Sequence, residues 1–354
     1  MTLTVLMLAI LAGYVATRLS RKVALAIGFV NHPNPIIPDH RVAVAYLGGL
    51  GIQVGALAAL LIARQAHGTE HWLHPGYLAM PQSLLVGGAL FALLGLYDDK
   101  RPLRASVKLV LQALVVVMAQ VIGELTPGDC SLIYHGTPWF WLNAGWSMLW
   151  ILAIVNAMNF VDVCDGLAGT IAMVTFAFFA WFIGPFSGIA LALSGACLGF
   201  LLINRPPARV YMGDAGSNFL GFMMAAFTII AARDVSLWPS MPMWVLWVGV
   251  PFFELLFISV VRAQKGLPWW HGSPDHFALR LQKAGFTKMQ VDAWSAGFVA
   301  LFWLAALGLY HAPNVGLQIT VVLMSLGVCI AVWRYLLNCV PGVAEPPAPT
   351  TGML

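Results

Sequence analysis

The chain has 354 residues, of which 60% are hydrophobic and only 9% charged, and its mean hydropathy is +0.84. A soluble domain carries about 25% charged residues, so this chain cannot cover its surface for water, and lipid must be its solvent. The net charge of +4 is small for the length, and no nucleic-acid partner is indicated. Five cysteines (Cys130, Cys164, Cys197, Cys329, Cys339) stand far apart with no CxxC pair, which points to neither a disulfide framework nor a zinc site.

A membrane span needs about 20 mostly apolar residues. Eleven stretches qualify: 2–19, 42–63, 81–97, 105–123, 141–157, 166–183, 186–203, 215–232, 241–261, 292–311 and 315–337. The first lacks a basic leading region and a small-residue cleavage site, and so reads as a membrane helix rather than a signal peptide. Asn156, Asn159, Asp162 and Asp165 interrupt the fifth and sixth. Period-2 alternation is absent, so the spans are expected to be helical and the fold all-α. Residues 1–340 read as a single transmembrane domain, and the Pro-rich stretch 341–354 as a disordered tail.

Cytoplasmic loops retain Lys and Arg. Placing the first loop inside puts every Lys and Arg at the inner face except Arg64 and Arg233, which leaves two of the 18 outside. The N-terminus is therefore expected outside and, with eleven helices, the C-terminus in the cytoplasm.

The acidic residues follow the same map. Asp98 and Asp99 end the third stretch, Asp162 and Asp165 lie between the fifth and sixth, and Asp214 lies between the seventh and eighth. Five carboxylates on one membrane face repel each other unless cations intervene. Carboxylate, amide oxygen and water suit Mg²⁺, which takes one or two protein ligands plus substrate phosphates. An Asp-Asp-Lys-Arg run at a helix end is also what a solvated interface looks like. The series Asn156, Asn159, Asp162, Asp165 is more informative, because its three-residue spacing gathers four oxygen-bearing side chains near one helix face. Buried in lipid such groups mark function by default, the bland alternative being a hydrogen-bonded helix seam. Gly213-Asp214-Ala-Gly-Ser is a turn opening a helix, where backbone N–H groups can meet a phosphate or simply be capped. His276 stands in the longest inner loop, and Glu254 lies two turns inside the ninth stretch, as either a packing residue or an acid supporting the site.

Taken in order along one membrane face, these motifs resemble the polyprenyl-phosphate N-acetylhexosamine-1-phosphate transferase superfamily, from about Gly28 to Gly285, and its undecaprenyl-phosphate N-acetylglucosamine-1-phosphate transferase branch in particular. Asp98-Asp99 resemble its Asp-Asp pair. Asn156, Asn159, Asp162 and Asp165 match its Asn-x-x-Asn-x-x-Asp series, and Asp214 with Gly216 and Ser217 matches its Gly-Asp-x-Gly-Ser turn. Glu254 follows Pro251 where the family places an acid, and Asn31-His-Pro-Asn and Leu47-Gly-Gly are similar to the region after its first helix. There are departures. Val163-Cys164 stand between the two Asp residues where Gly-Leu is usual, Asn31 replaces an Asp, and only His40 and Arg41 remain of a basic run. The His-x-His-His cluster is reduced to His276, which disfavours the pentapeptide-transferase branch.

The resemblance implies an enzyme of the bacterial cytoplasmic membrane with its active site on the cytoplasmic side. It would transfer a sugar-1-phosphate, GlcNAc-1-phosphate as the first choice, from a UDP-sugar to undecaprenyl or another polyprenyl phosphate, releasing UMP. It further implies Mg²⁺ (or Mn²⁺) on Asp214 and Asn159, and it is compatible with a homodimer. Asp98, Asp99, Asp162, Asp165 and His276 would be catalytic; Asn156, Asn159, Gly213, Arg262, His40 and Arg41 would bind substrate. The rival class, a transporter with a cytoplasmic metal or anion site, would place ionisable groups near the bilayer midplane, whereas here they stand at helix ends.

Overall fold

A computed structural model describes residues 2–31, 43–67, 79–123, 139–232, 235, 237–268, 270 and 272–339. The elements are α1 (Thr2–Ala26), β1 (Val30–Asn31), β2 (Val44–Ala45), α2 (Gly48–His67), α3 (Ala79–Lys100), α4 (Ala105–Gly123) and α5 (Trp139–Val161). They continue with α6 (Leu167–Phe182), a 3₁₀ turn (Gly184–Phe186), α7 (Ser187–Asn204), α8 (Gly213–Ala231), α9 (Leu237–Trp247) and α10 (Gly249–Gln264). The last three are α11 (Phe277–Lys283), α12 (Lys288–His311) and α13 (Val315–Asn338). The protein is an all-α, multi-spanning membrane protein. Among the described residues eight helices are long and apolar enough to cross a membrane, or nine if α9 and α10 form one bent span.

All eleven expected stretches fall on helix, with two local corrections. The second stretch does not begin as helix. Val44–Ala45 pair antiparallel with Val30–Asn31, and the helix starts at Gly48 after Leu47, whose φ is +77°. The ninth stretch is broken: α9 and α10 meet at a 90° bend around Val248. A carbonyl at the break is satisfied by an indole, since Trp303 Nε1 donates to Trp247 O at 3.1 Å. The bend turns α10 against α5. The short helix α11 was not anticipated, and the stretch 341–354 lies outside the described residues.

The helix α8 is the axis of the bundle. It packs on α2, α3, α5 and α6, and every one of its residues except Asp214 is buried. By contrast α13 buries only Leu336. Lipid offers no hydrophobic drive between helices, so close approach of backbones at small residues does much of the work. Gly195 and Gly199, one turn apart on α7, face α1 in this way. A Cβ on Gly199 would sit 2.5 Å from Tyr14 N, and one on Gly13 would sit 2.7 Å from Ala196 Cα.

Replacing Gly199 with Leu should therefore prise α1 from α7, at a cost of about 1–3 kcal/mol for overpacking, and lower the thermal midpoint of the detergent-solubilised protein by several degrees. Gly145→Leu, where an added Cβ meets nothing within 4 Å, should leave that midpoint unchanged. Equal effects of the two substitutions would refute the packing argument.

Candidate active site

The first four N–H groups of a helix lack intrahelical partners, and the helix dipole favours an anion beside them. The N-terminus of α8 finds its anion in another helix. Asp99, at the end of α3, accepts from Asp214 N at 2.9 Å through one oxygen and from Ala215 N at 3.2 Å through the other. Gly213 makes this approach feasible: its φ is +70°, and a Cβ there would lie 2.6 Å from Asp99 Oδ2. The strand β2 and the start of α2 hold the segment before α8. Tyr211 N donates to Ala45 O at 2.8 Å, and Gly48 N and Gly49 N donate to the carbonyls of Tyr211 and Met212 at 3.0 Å each.

Lys108, one turn inside α4, joins the acids together. Its Nζ lies 2.7 Å from Asp98 Oδ2 and 2.5 Å from Asp214 Oδ2. Asp98 is also held by Leu103 N at 2.7 Å. Asn159 on α5 donates to Asp214 Oδ1 at 2.8 Å and to Ser217 Oγ at 3.1 Å. Asn156, one turn earlier, is turned instead to Gln112 Oε1 on α4 at 2.9 Å, so it belongs to the α4–α5 seam. Lys108 was not singled out as a site residue in the sequence, yet it carried a signal, because a lysine inside an apolar run marks an expensive position.

Asp162 and Asp165 lie just beyond α5. No described residue donates a hydrogen bond to the Asp162 carboxylate. Burial, and then the charges of Asp214, Asp99 and Asp165, push it up from the ordinary 3.8 to about 8. Nearby, burial followed by the Asp99 and Asp214 charges pushes the Tyr46 hydroxyl up to about 12. Asp165 is tied outward, accepting from Ala208 N at 3.3 Å and Lys288 Nζ at 3.0 Å. Asn204 staples two loops, accepting from Gly166 N at 2.9 Å and donating to Val210 O at 2.7 Å. It too went unnoticed in the sequence. Cys164, one of the unusual pair, accepts from Gln282 Nε2 at 3.3 Å.

A second cluster forms where α10, turned by the bend, meets the start of α11. His276 Nδ1 lies 2.6 Å from Glu254 Oε1. Arg262 Nε donates to Ser273 Oγ at 3.2 Å, and its guanidinium carbon lies 5.1 Å from the Phe160 ring centroid. The rings of Phe160 and His276 are 6.4 Å apart, edge to face. Because Phe160 follows Asn159, it links this cluster to the Asp214 cluster. Asp275, the residue before His276, is held by Lys265 at 2.9 Å and by Arg280 at 2.9 Å; burial works to raise its pKa, and the two cations outweigh burial and hold it below the ordinary value. His40 and Arg41 lie outside the described residues.

Carboxylate and amide oxygens at the head of α8 are the hard donors Mg²⁺ prefers, and a cation there would offset the burial and like charges that make Asp162 hold its proton. The set fits a metal of this kind, though not as a closed cage. Among the described residues no three or more His, Cys, Asp or Glu side chains converge as ligands.

Residues 81–232, which hold Asp98, Asp99, Lys108, Asn159, Asp162 and Asp214, match the family model described as glycosyl transferase family 4. The chain is 31% identical over 312 residues to a Mycobacterium tuberculosis protein named decaprenyl-phosphate N-acetylglucosaminephosphotransferase, covering 78% of this chain and 75% of the relative. It is 27% identical over 289 residues to a Bacillus subtilis protein named probable undecaprenyl-phosphate N-acetylglucosaminyl 1-phosphate transferase, covering 78% and 76%. It is 25% identical over 284 residues to the Escherichia coli protein named undecaprenyl-phosphate alpha-N-acetylglucosaminyl 1-phosphate transferase, covering 77% and 74%.

The raised value of Asp162 makes a stability prediction. The native state holds this proton more tightly than the unfolded chain, so the associated stability is present below about pH 3.8 and is lost as pH climbs to about 8. In chelator, the thermal midpoint of Asp162→Asn relative to the parent should rise steadily from pH 5 to pH 8 and level off above it. A difference that does not change with pH would contradict the burial of a charge at this position.

Proposed function

The chain belongs to glycosyl transferase family 4, in its polyprenyl-phosphate N-acetylglucosamine-1-phosphate transferase branch, and from that premise we propose that it transfers GlcNAc-1-phosphate from UDP-GlcNAc to undecaprenyl or another polyprenyl phosphate. UMP leaves, and the reaction is the first membrane step of a cell-envelope polysaccharide pathway. The observation that carries this reading is the gathering of Asp98, Asp99, Asp214, Asn159 and Lys108 at the buried head of α8.

In the proposed reaction a non-bridging oxygen of the polyprenyl phosphate attacks the phosphorus that bears the sugar. The bond from that phosphorus to the bridging oxygen breaks, and UMP departs with the electron pair. Such transfers ask a protein mainly for positioning and charge neutralisation. Asp98 and Asp99 position rather than take a proton, since a phosphate monoester is already largely ionised at neutral pH and both oxygens of Asp99 are engaged by α8. Asp214 and the amide oxygen of Asn159 would hold Mg²⁺ or Mn²⁺. When bound, the metal supplies Lewis-acid polarisation and charge neutralisation for the diphosphate. Lys108 adds a fixed positive charge at the same place. Asp162 and Asp165 face the nucleoside side, with Gly213 offering close approach at the turn. Arg262 and His276 meet the diphosphate or sugar, and His40 and Arg41 are proposed for the lipid phosphate. Asn156 supports this set through the α4–α5 seam.

The eleven apolar stretches are proposed as eleven spans, and the basic bias supports an N-terminus outside and a C-terminus in the cytoplasm, with residues 1–340 acting as one catalytic domain on the cytoplasmic side of a bacterial inner membrane. Single-cysteine labelling of intact cells, in a cysteine-free background, should miss positions 98–104, 157–165, 204–214 and 262–290 and reach 124–140. Labelling any of the first four from outside would overturn this topology.

For the reaction, purified protein supplied with polyprenyl phosphate and a panel of UDP-sugars should favour UDP-GlcNAc, fall silent in EDTA and recover with Mg²⁺ or Mn²⁺. Full turnover in chelator would defeat the metal assignment. Faster transfer from UDP-N-acetylmuramoyl-pentapeptide than from every simple UDP-sugar would defeat the donor assignment.

A further inference from the structure

Glu254 is fully buried in α10. A carboxylate in that position is costly unless it is paired and hydrogen-bonded, so what it holds defines what it is for. Both of its oxygens are taken by the start of α11. Oε1 meets His276 Nδ1 at 2.6 Å, and Oε2 accepts from Phe277 N at 3.3 Å. His276 is itself only 7% exposed, and no described residue pairs with its other ring nitrogen, Nε2.

We propose that Glu254 is a positioning residue that fixes the His276 imidazole with its Nδ1 proton toward α10 and its Nε2 toward substrate. The inference rests on the assignment of His276 to the transfer reaction. A carboxylate partner that fixes ring orientation and tautomer is a general device for making one imidazole nitrogen dependable. Here the second oxygen, on the adjoining backbone N–H, also fixes the main chain that carries the ring. The surroundings complete the clamp from the other side: Arg280 donates to Asp275 O at 3.1 Å and to Leu336 O at 3.1 Å, so the residue before His276 is anchored to α13 while the residue after it is anchored to α10. The Nε2 edge is the part of the ring left to act, and Phe160 holds the ring beside the Asn159 side of the cluster.

The test is a double-substitution cycle on E254Q and H276A, read as kcat and KM for the UDP-sugar. The amide of E254Q has the volume of the carboxylate but offers only one acceptor for two donors, so the imidazole loses its anchor without a cavity forming. E254Q should lower kcat about 10–100-fold, by analogy with the loss when the carboxylate partner of a metal-bound histidine is removed, with KM changed less than about threefold. In the H276A background E254Q should produce no further loss, because Glu254 acts only through the ring. If H276A does not assemble, H276Q, whose amide can still meet Glu254, takes its place in the cycle. Losses that multiply independently in the double variant, or an E254Q protein with parental kcat, would overturn the role of Glu254. Parental kinetics in H276A would instead overturn the assignment of His276 on which the proposal rests.

Discussion

The carboxylate of Asp99 on the N-terminal N–H groups of α8 is the contact on which the rest of this structure depends. The helix α8 runs through the middle of the bundle and cannot turn its unpaired N–H groups to water, so an anion from another helix must meet them. Once Asp99 is there, Gly213 is required by both its backbone angle and the space the carboxylate takes. Asp214 is then delivered beside Asp98 and Asp162, and the resulting negative charge draws in Lys108. One lysine does not balance that cluster. The residues that meet this structural need at the head of a buried helix are the same ones proposed to hold the cation.

The broken ninth span answers a different problem. A straight helix would keep Glu254 and Arg262 along the bundle wall, away from the turn that follows α5. The 90° bend at Val248 lays α10 against α5 and brings Glu254, His276 and Arg262 to Phe160. The break is tolerated because an indole from α12 satisfies a carbonyl beside it and the aromatic residues Phe179, Phe182 and Trp303 pack around Trp247. Helical interruptions in membranes survive where protein, not lipid, surrounds them.

Much of this was legible in the sequence because lipid makes composition informative. Apolar runs locate the helices, and acids that interrupt them stand out: Asp98, Asp99, Asp162 and Asp214 do converge, and Asn159 joins them. Other features depend on direction rather than spacing. Asn156 and Asn159 are three residues apart and look equivalent in the chain, but only Asn159 reaches Asp214, while Asn156 turns to Gln112. Lys108 was visible as a charge in an apolar run, but its bridging of Asp98 and Asp214 depends on how α4 packs beside α3 and α8. The bend at Val248 carried a cue that the apolar run concealed: Pro251 has no N–H to give to Trp247 O, four residues earlier, and Gly249 adjoins the break. Asn204 acts through loop-to-loop bonds that only the folded chain creates.

The central claim is that the bond broken lies between the two phosphates of the donor, with the acids and Lys108 at the head of α8 arranged around a phosphorus atom rather than around a sugar carbon. The most direct measurement uses UDP-GlcNAc carrying ³²P in the phosphate next to the sugar, incubated with the purified protein and polyprenyl phosphate, with lipid and aqueous products separated. The account predicts that the label enters the lipid together with the sugar and that unlabelled UMP is released. Sugar in the lipid with all of the label left in water-soluble UDP would contradict it.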